Sequence, residues 1–363
     1  MFNSRVQEVK KKILTEKIDA ILISSVSNIV YLTGFTNFSK DEREAYLLIG
    51  KDFQYIVTDG RYTEAVKRQV SNFTLFERGH KNKTEDLLKS LTGKIQTLGI
   101  EGHNLSYLEY RFFKKHIKKL KHINLEIHRS IKTEDEIKKI EQACKLGDKA
   151  FEYILKKIKP GVTEKEIAFE LEYFVKKAGA DLSFPSIVAC SKNSSIPHHQ
   201  TGNTRLEERR GQFVLLDFGV KLENYCSDMT RTVFFGKPTQ QQRRIYETVL
   251  AAQQKVIDYI TESLKSGKPV KAVSADKAAR DYIISKGYPS IPHSLGHGIG
   301  LEVHEHPSLS PKSKEILKEG MVFSIEPGIY IEDFGGVRIE DLFVLKKGGL
   351  QQLTSASKAI ISL

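Results

Sequence analysis

The sequence predicts two domains: an α/β domain over residues 1–128 and an α+β domain over residues 129–363, in which helices cover an antiparallel sheet. Three observations lead to this prediction. Short β-rich runs alternate with helical stretches in the first third of the chain. Two amphipathic helices with their own start signals then follow, the first after Thr133 and the second after Thr163. From about residue 184, β-rich runs are joined by turn-like segments.

In the first domain, the β-rich runs are "DAILISS", "AYLLIG", "QYIVTDG" and "TLGIEG", and the helical stretches include "SRVQEVKKKILTEK" and "TEAVKRQV". This alternation is typical of a small α/β domain. In "KKHIKKLKHI", residues 114–123, Ile117, Leu120 and Ile123 recur at helical spacing between lysines. The spacing predicts a helix with a solvated basic face.

The second domain begins with two capping boxes. Thr133 and Glu136 precede a long run of apolar residues at helical spacing, and Thr163 and Glu166 precede the next. A Pro-Gly pair between them ends the first helix. The later part of this domain is predicted to be strands and hairpins, interrupted by one helical stretch over residues 240–286.

Composition and charge narrow the functional class. The three cysteines share no CxxC spacing, which argues against a disulfide framework or a zinc knuckle and favours a reducing compartment. The N-terminal residues lack an apolar signal segment, and no run is apolar enough to span a membrane, so we expect a cytoplasmic protein. The net charge of +12 comes without any nucleic-acid-binding motif, and we do not expect a nucleic acid partner.

Two aspartates interrupt apolar β-rich runs in the second domain. Asp217 lies in "QFVLLDFGV" and Asp228 in "YCSDMTRTVFF", and "KLEN" between them resembles a turn. A hairpin symmetric about that turn would place Asp217 opposite Asp228, with Cβ atoms about 4.5–5.5 Å apart. Two buried carboxylates so close require protons or a cation, unless one of them points to solvent at the rim of the sheet.

A second pair of carboxylates follows in similar surroundings. Glu326 ends one β-rich run, and Glu340 lies inside another, across a glycine-containing loop. Between the two hairpins, "PHSLGHGIGLEVHEHP" holds four histidines. Glycines on both sides of His297 allow the backbone to approach it closely. The other three histidines of this segment are His293, His304 and His306.

Four carboxylates and one imidazole form an oxygen-rich donor set. Such a set suits Mn²⁺, Co²⁺ or Fe²⁺, or a pair of such ions, better than a tetrahedral zinc or a copper site. Bridging carboxylates hold two cations about 3.5–4 Å apart, and a water between the cations loses its proton near neutral pH. The sequence therefore predicts two divalent metal ions, Mn²⁺ in the first place, with Co²⁺, Fe²⁺ and Zn²⁺ as alternatives.

Five motifs, taken in their order, resemble those of the pita-bread metallopeptidases. They are "LLDFG", "SDMTRT", "GHGIGLEVHE", "SIEPGIY" and "VRIED"; the less specific "NIVYLTGF" and "TDGRYT" lie in the first domain. This family includes methionine aminopeptidase, Xaa-Pro aminopeptidase (aminopeptidase P), prolidase and creatinase. The resemblance extends over residues 1–363. It implies a creatinase/prolidase-like N-terminal domain with a capping or oligomerisation role, a pita-bread catalytic domain and a homodimer.

The resemblance also implies roles for the five ligands. Asp217 would bind one metal alone, Asp228 and Glu340 would bridge both ions, and His297 and Glu326 would bind the second ion. Glu326 would in addition act as general base or proton shuttle, passing the proton of a metal-bridging hydroxide to the leaving nitrogen.

Further residues are implied on the substrate side. His198, in "SIPHHQTGN", resembles the substrate-side histidine of the family. His304 resembles the histidine that stabilises the tetrahedral intermediate, and His293 one that is found in proline-specific members. Arg338 would hold the carboxylates in place. Two other histidines are not expected to take part, namely His199, where the family often has a small residue, and His306, expected at the surface.

The ligand set and the first domain favour one branch of the family. Creatinase lacks the ligands, and methionine aminopeptidases usually lack such an N-terminal domain. The resemblance therefore implies hydrolysis of the bond between an N-terminal residue and a following proline, in short peptides. The chain length and the compact first domain favour aminopeptidase P over the dipeptidase prolidase. The alternative from a different functional class is a non-catalytic member of the family that binds RNA or protein.

Overall fold

The computed structural model describes residues 1–207 and 211–363. The chain divides into two compact units, Met1–Ile127 and His128–Leu363, and each unit contains its own clusters of buried apolar side chains. No helix within the described residues combines the length and the apolar character that crossing a membrane requires.

The first unit has the predicted α/β fold. Its strands are β1 (Ala20–Ile23), β2 (Ala45–Gly50), β3 (Gln54–Asp59), β4 (Thr74–Arg78), β5 (Thr97–Ile100) and β6 (Lys119–His122). Its helices are α1 (Phe2–Thr15), α2 (Val26–Thr33), α3 (Thr63–Gln69), α4 (Thr84–Ser90) and α5 (Tyr107–His116). The strands form one mixed sheet in the order β4-β3-β2-β1-β5-β6. Strand β2 is antiparallel to both of its neighbours, and the other pairs are parallel.

The prediction of a helix over residues 114–123 is wrong. Helix α5 ends at His116, the backbone of Ile117 is already extended, and β6 follows at the edge of the sheet. Ile117 and Ile123 are buried, so the apolar positions were identified correctly but their period was misread. Lysines on an edge strand discourage pairing with other chains, which explains the mixture of apolar and basic residues.

The helices of the second unit begin where their capping boxes predict. Thr133 Oγ1 accepts a hydrogen bond from the Glu136 backbone N–H at 3.4 Å, and Thr163 Oγ1 accepts one from Glu166 at 3.2 Å. The helices are α6 (Ile127–Ser130), which spans the boundary, α7 (Glu134–Leu155), α8 (Glu164–Lys177), α9 (Gln240–Lys265) and α10 (Ala272–Ser285). The single helical stretch predicted over residues 240–286 is therefore wrong. Gly267, at a φ of 66°, turns the chain between two helices.

In the part of the second unit that the structure describes, the strands form five small sheets. All pairs between the strands named here are antiparallel. The strands are β7 (Asp181–Leu182), β8 (Ile187–Cys190), β9 (Gln212–Phe218), β10 (Val220–Leu222), β11 (Tyr225–Cys226), β12 (Met229–Phe235), β13 (Val270–Lys271), β14 (Gly296–Gly298), β15 (Glu305–Leu309), β16 (Ile316–Leu317), β17 (Val322–Ile325), β18 (Gly328–Ile331), β19 (Gly335–Arg338), β20 (Asp341–Lys346) and β21 (Gly349–Gln352). The largest sheet has the order β15-β14-β17-β20-β21, and a second has the order β12-β9-β8.

Helices cover these sheets, as predicted. Apolar residues of α9 and α10 share a buried cluster with β17 and β20, and those of α7 and α8 share another with β8, β9 and β12. Burial of apolar area is the main favourable term in folding. The faces of the sheets that the helices cover therefore form the core of this unit.

The hairpin that carries the two aspartates has a different register from the predicted one. Asp217 pairs with Thr230, so Asp228 does not face it. The reason lies in the turn, which is centred between Glu223 and Asn224 because the adjacent residues of β10 and β11 pair directly across it. Both turn residues have positive φ, 47° and 71°, as a two-residue type I′ turn requires. Moving the centre by one residue moves every cross-strand partner by two.

Candidate active site

One cavity of about 470 Å³ lies in the second unit and brings together all nine side chains that the sequence singled out. Asp217 to Glu340 span more than a hundred residues of chain, and their convergence results from the pairing of the antiparallel strands. The nine residues are His198, Asp217, Asp228, His293, His297, His304, Glu326, Arg338 and Glu340. Their individual roles remain predictions.

The first two carboxylates reach the cavity through strand alternation. Asp217 is the cross-strand partner of Thr230, and Asp228 precedes Thr230 by two residues. Side chains two apart on a strand project from the same face. Asp217 and Asp228 therefore share one face of the hairpin although they are not directly opposed.

The second pair of carboxylates lies at one end of the large sheet. Ile325 of β17 pairs with Asp341 of β20, so Glu326 and Glu340 extend beyond that pair from neighbouring strands. The Glu340 backbone N–H donates to the carbonyl of Thr230 at 3.1 Å, and the Thr230 hydroxyl donates to Glu340 Oε2 at 2.7 Å. These bonds join the end of β20 to the aspartate hairpin.

His297 enters the site from β14, between two glycines. A Cβ on Gly296 would lie 2.0 Å from the Ser324 carbonyl oxygen, and a Cβ on Gly298 would lie 2.1 Å from that of His306. The glycines are thus required by the close approach of the adjacent backbones. Backbone also approaches the imidazole ring, as expected: His297 Nδ1 lies 3.1 Å from the Gly298 carbonyl oxygen. His297 Nε2 lies 3.6 Å from Asp228 Oδ2 and 3.4 Å from Glu326 Oε1.

Three of these residues form a compact donor set for a cation. Asp228, His297 and Glu340 each offer one ligand atom, and these atoms lie within 4.8 Å of one another. Asp228 Oδ1 and Glu340 Oε1 are buried and have no hydrogen-bond partner among the residues that the structure describes. A buried, unpaired carboxylate oxygen is costly, and an oxygen-rich set with one imidazole suits a divalent ion of the Mn²⁺ type. The residues therefore fit a metal ion.

The pKa values of three carboxyl groups of the site are raised above their usual range. Burial, together with the nearby Asp217, raises the pKa of Glu340 to about 8. Burial together with the neighbouring Glu340 likewise raises the pKa values of Asp228 and Glu326 well above their usual range. Burial lowers the pKa of His297 to about 4, which keeps its ring neutral. Uncharged imidazole is the form that binds metals.

Among the described residues, Asp217 is paired with a cationic side chain, that of Arg338. Arg338 Nη2 lies 2.6 Å from Asp217 Oδ2, and Arg338 Nη1 donates to the hydroxyl oxygen of Tyr330 at 2.8 Å. That hydroxyl oxygen also lies 2.9 Å from His293 Nε2. Burial raises the pKa of Tyr330 to about 12, so this phenol stays protonated. A continuous chain of contacts thus joins Asp217 to His293.

Sequence reasoning missed Tyr330, although it stands inside the quoted motif "SIEPGIY". The available signal was strand alternation. Gly328 pairs with Arg338, and Tyr330 lies two residues further along β18. It therefore projects from the same face as Arg338.

The remaining histidines separate into two groups. His304 lies beside His297, with ring centroids 4.3 Å apart, and burial lowers its pKa. His198 lines the cavity together with Pro197. His199 and His306 are not among the lining residues. His199 contacts Glu164, and His306 Nδ1 lies 2.9 Å from Glu315 Oε1.

Comparison with known proteins agrees with the fold. The profile of Metallopeptidase family M24 matches residues 138–347, and that of the Creatinase/Prolidase N-terminal domain matches residues 5–131. The chain is 38% identical to an Xaa-Pro dipeptidase of Pyrococcus horikoshii, over 99% of each chain.

Two solved structures extend the likeness to three dimensions. An Xaa-Pro dipeptidase from Bacillus anthracis superposes with a TM-score of 0.91 at 35% identity, covering 100% of both chains. An X-Pro aminopeptidase from Thermotoga maritima superposes with a TM-score of 0.85 at 34% identity, covering 99% of this chain and 100% of that one. The resemblance to the pita-bread metallopeptidases is thereby confirmed. The chain belongs to metallopeptidase family M24 and is a metal-dependent peptidase.

Proposed function

We propose that this protein hydrolyses the peptide bond between an N-terminal residue and a following proline. The observation that carries the proposal is the convergence of five acidic or imidazole ligands and three further histidines on one cavity. Three apolar residues, Phe184, Ile187 and Val303, also line this cavity. Apolar side chains suit the pyrrolidine ring of proline, which has no N–H to donate.

Two divalent cations, Mn²⁺ as the first candidate, would be held by Asp217, Asp228, His297, Glu326 and Glu340. When bound, such cations lower the pKa of a water molecule and polarise the carbonyl under attack. Asp228 and Glu340 would help to hold the cations because each has a buried oxygen, Oδ1 and Oε1, with no hydrogen-bond partner among the described residues.

Proton movement in the proposed reaction involves Glu326 and the histidines. The carboxyl of Glu326 accepts a hydrogen bond from Ser324 at 3.1 Å and would carry a proton from the attacking water to the leaving nitrogen. His304 and His198 would donate to the oxygen that becomes negatively charged in the transition state. Arg338 and Tyr330 hold Asp217 and His293 in fixed positions.

The length of the substrate is the finer part of the proposal. The sequence favoured aminopeptidase P, which accepts longer peptides, whereas relatives named Xaa-Pro dipeptidase cover nearly the whole chain. The likeness to the Thermotoga maritima aminopeptidase keeps the longer substrates in consideration. We therefore propose Xaa-Pro dipeptides as the first candidate substrates and longer Xaa-Pro peptides as the second.

Proline release from Ala-Pro and cleavage of Ala-Pro-Ala test both parts. The protein would be stripped with a chelator, reloaded with Mn²⁺ and checked for metal content, with Ala-Ala as the control substrate. Hydrolysis of Ala-Pro alone establishes the dipeptidase, and hydrolysis of the tripeptide establishes the aminopeptidase. Absence of cleavage by the metal-loaded protein would refute the proposal and leave the non-catalytic alternative.

A further inference from the structure

A buried carboxylate outside the cavity gathers the loop that carries His198. Glu164 is the first residue of α8, and its side chain is fully buried. Its Oε1 accepts hydrogen bonds from the backbone N–H of Cys190 and from Asn193 Nδ2, both at 2.8 Å. Its Oε2 accepts from the Gly202 N–H at 2.9 Å and lies 2.9 Å from His199 Nε2. An ionised carboxylate only accepts, so His199 must donate from Nε2.

The donors enclose the part of the loop that faces the cavity. Pro197 and His198 line the cavity and lie between Asn193 and His199 in the sequence. The loop is also held from the cavity side. Arg338 Nη1 donates to the Pro197 carbonyl at 3.3 Å, and the Gly336 N–H donates to Ser194 Oγ at 2.8 Å. The segment is thus fastened on its outer side by Glu164 and on its inner side by β19.

His199 is the side-chain donor nearest to His198 along the chain. A buried carboxylate is tolerated only when hydrogen bonds compensate it, and the four donors supply that compensation. Losing the imidazole donor would leave the buried Oε2 with the Gly202 N–H but without the second of its two donors. The loop would then rearrange to satisfy it, and His198 would move with the loop.

We propose that Glu164 and His199 are positioning residues for the substrate side of the cavity: their contact fixes the loop of residues 190–202 so that His198 faces the substrate. The proposal rests on the proposed function for its kinetic readout. It assigns a role to His199, which was not expected to take part and which does not line the cavity.

The test compares His199→Leu, which removes the donor, with His199→Gln, which retains an N–H of similar reach. We expect the leucine variant to raise the KM for the Xaa-Pro peptide about tenfold, since a hydrogen bond to a charged group is lost. The Mn²⁺ affinity, measured by calorimetry, should stay unchanged, and the glutamine variant should keep the wild-type KM. Amide hydrogen exchange over residues 187–204 should accelerate in the leucine variant alone.

The matched control is His103→Gln. His103 Nε2 lies 2.9 Å from Glu126 Oε1 in the first unit, a His–Glu contact of the same length. This variant should change neither the KM nor the exchange over residues 187–204. Should His199→Leu fail to fold, His199→Asn, whose amide is too short to reach Glu164, takes its place with the same expected outcome.

Three results would overturn the positioning role: wild-type KM and exchange in His199→Leu, equal losses in His199→Gln, or a parallel loss of Mn²⁺ affinity. The last result would indicate a general structural role. Failure of the wild-type protein to cleave any Xaa-Pro peptide overturns the proposed function instead, and the exchange measurement still decides the positioning role.

Discussion

Arg338 Nη2 lies 2.6 Å from Asp217 Oδ2, and the two side chains are only 4% and 13% exposed. Replacing Arg338 by methionine would leave the Asp217 carboxylate buried without its cationic partner. Breaking such a pair costs about 3–5 kcal/mol. We expect a loss of that order in the unfolding free energy of the metal-free protein, measured by urea denaturation at neutral pH. The exposed Arg244, changed to methionine, is the control; equal stability of both variants would contradict the prediction.

Asp228→Asn should abolish metal retention and activity while the fold remains intact. The amide keeps the shape of the side chain but loses the charge that two cations require. Metal content by elemental analysis and circular dichroism measure the two effects. In the absence of metal, this variant should melt at a higher temperature than the wild type, because one of several crowded carboxylates has been removed. Full Mn²⁺ retention would refute the bridging role.

His304→Ala should keep the metal ions and lose turnover. The ring lies beside His297 and lines the cavity, but it is not one of the five expected ligands. Loss of a donor to the developing oxyanion costs about 10²–10³-fold in kcat. Steady-state kinetics on Ala-Pro, with metal content measured in the same sample, checks this. Unchanged kinetics would remove His304 from the mechanism.

The stability of the metal-free protein should fall as the pH rises. Burial raises the pKa of Glu340 from 4.5 to about 8, so the folded protein binds a proton that the unfolded chain has released. The corresponding stabilisation is complete below the unfolded pKa and is lost as the pH rises through about 8. Thermal melting of chelator-treated protein between about pH 5 and about pH 9 should show this decline. Mn²⁺ should remove most of the slope, because the cation replaces the protons; a slope unaffected by Mn²⁺ would contradict this.

Tyr330→Phe should weaken catalysis without loss of metal. The phenol oxygen accepts from Arg338 and contacts His293, and phenylalanine leaves both groups without this partner. An unsatisfied buried donor costs about 1–3 kcal/mol. If that cost falls on the transition state, kcat/KM decreases roughly five- to 150-fold. Kinetics with metal analysis measures it. Tyr282→Phe, on α10 and away from the cavity, is the control, and equal activity of the two variants would disprove the role of Tyr330.

Local signals in the sequence predicted local structure well. The capping boxes at Thr133 and Thr163 begin helices because side chain and backbone meet within one turn. The strand β6 was predicted to be helical because its own apolar residues have helical spacing. Its extended conformation depends instead on pairing with β5, and the spacing of residues within β6 carries no information on that pairing. The fold class was predicted because the motifs, taken together, resemble a family, and the comparisons confirm it.

At the site, residue types were easier to predict than contacts. The nine side chains converge on one cavity, yet the direct opposition of Asp217 and Asp228 was wrong, because one residue of difference in the turn changes the partners. The role of Glu164 as an acceptor for four donors could not be read from the sequence. Its donors come from the end of β8, from a short 3₁₀ helix (Ser191–Ser195) and from the segment after it, and only the folded backbone brings them together.

The turn at Glu223 and Asn224 also limits how this hairpin can vary. Side chains alternate between faces, so inserting or deleting a single residue there would direct Asp228 to the opposite face of its strand unless a bulge absorbed the change. Replacing Glu223 or Asn224 by another residue that adopts positive φ does not change the number of residues in the turn. The direction of the Asp228 carboxylate would therefore stay the same. The spacing of eleven residues between the two aspartates is therefore a geometric requirement of the hairpin, independent of which side chains occupy its tip.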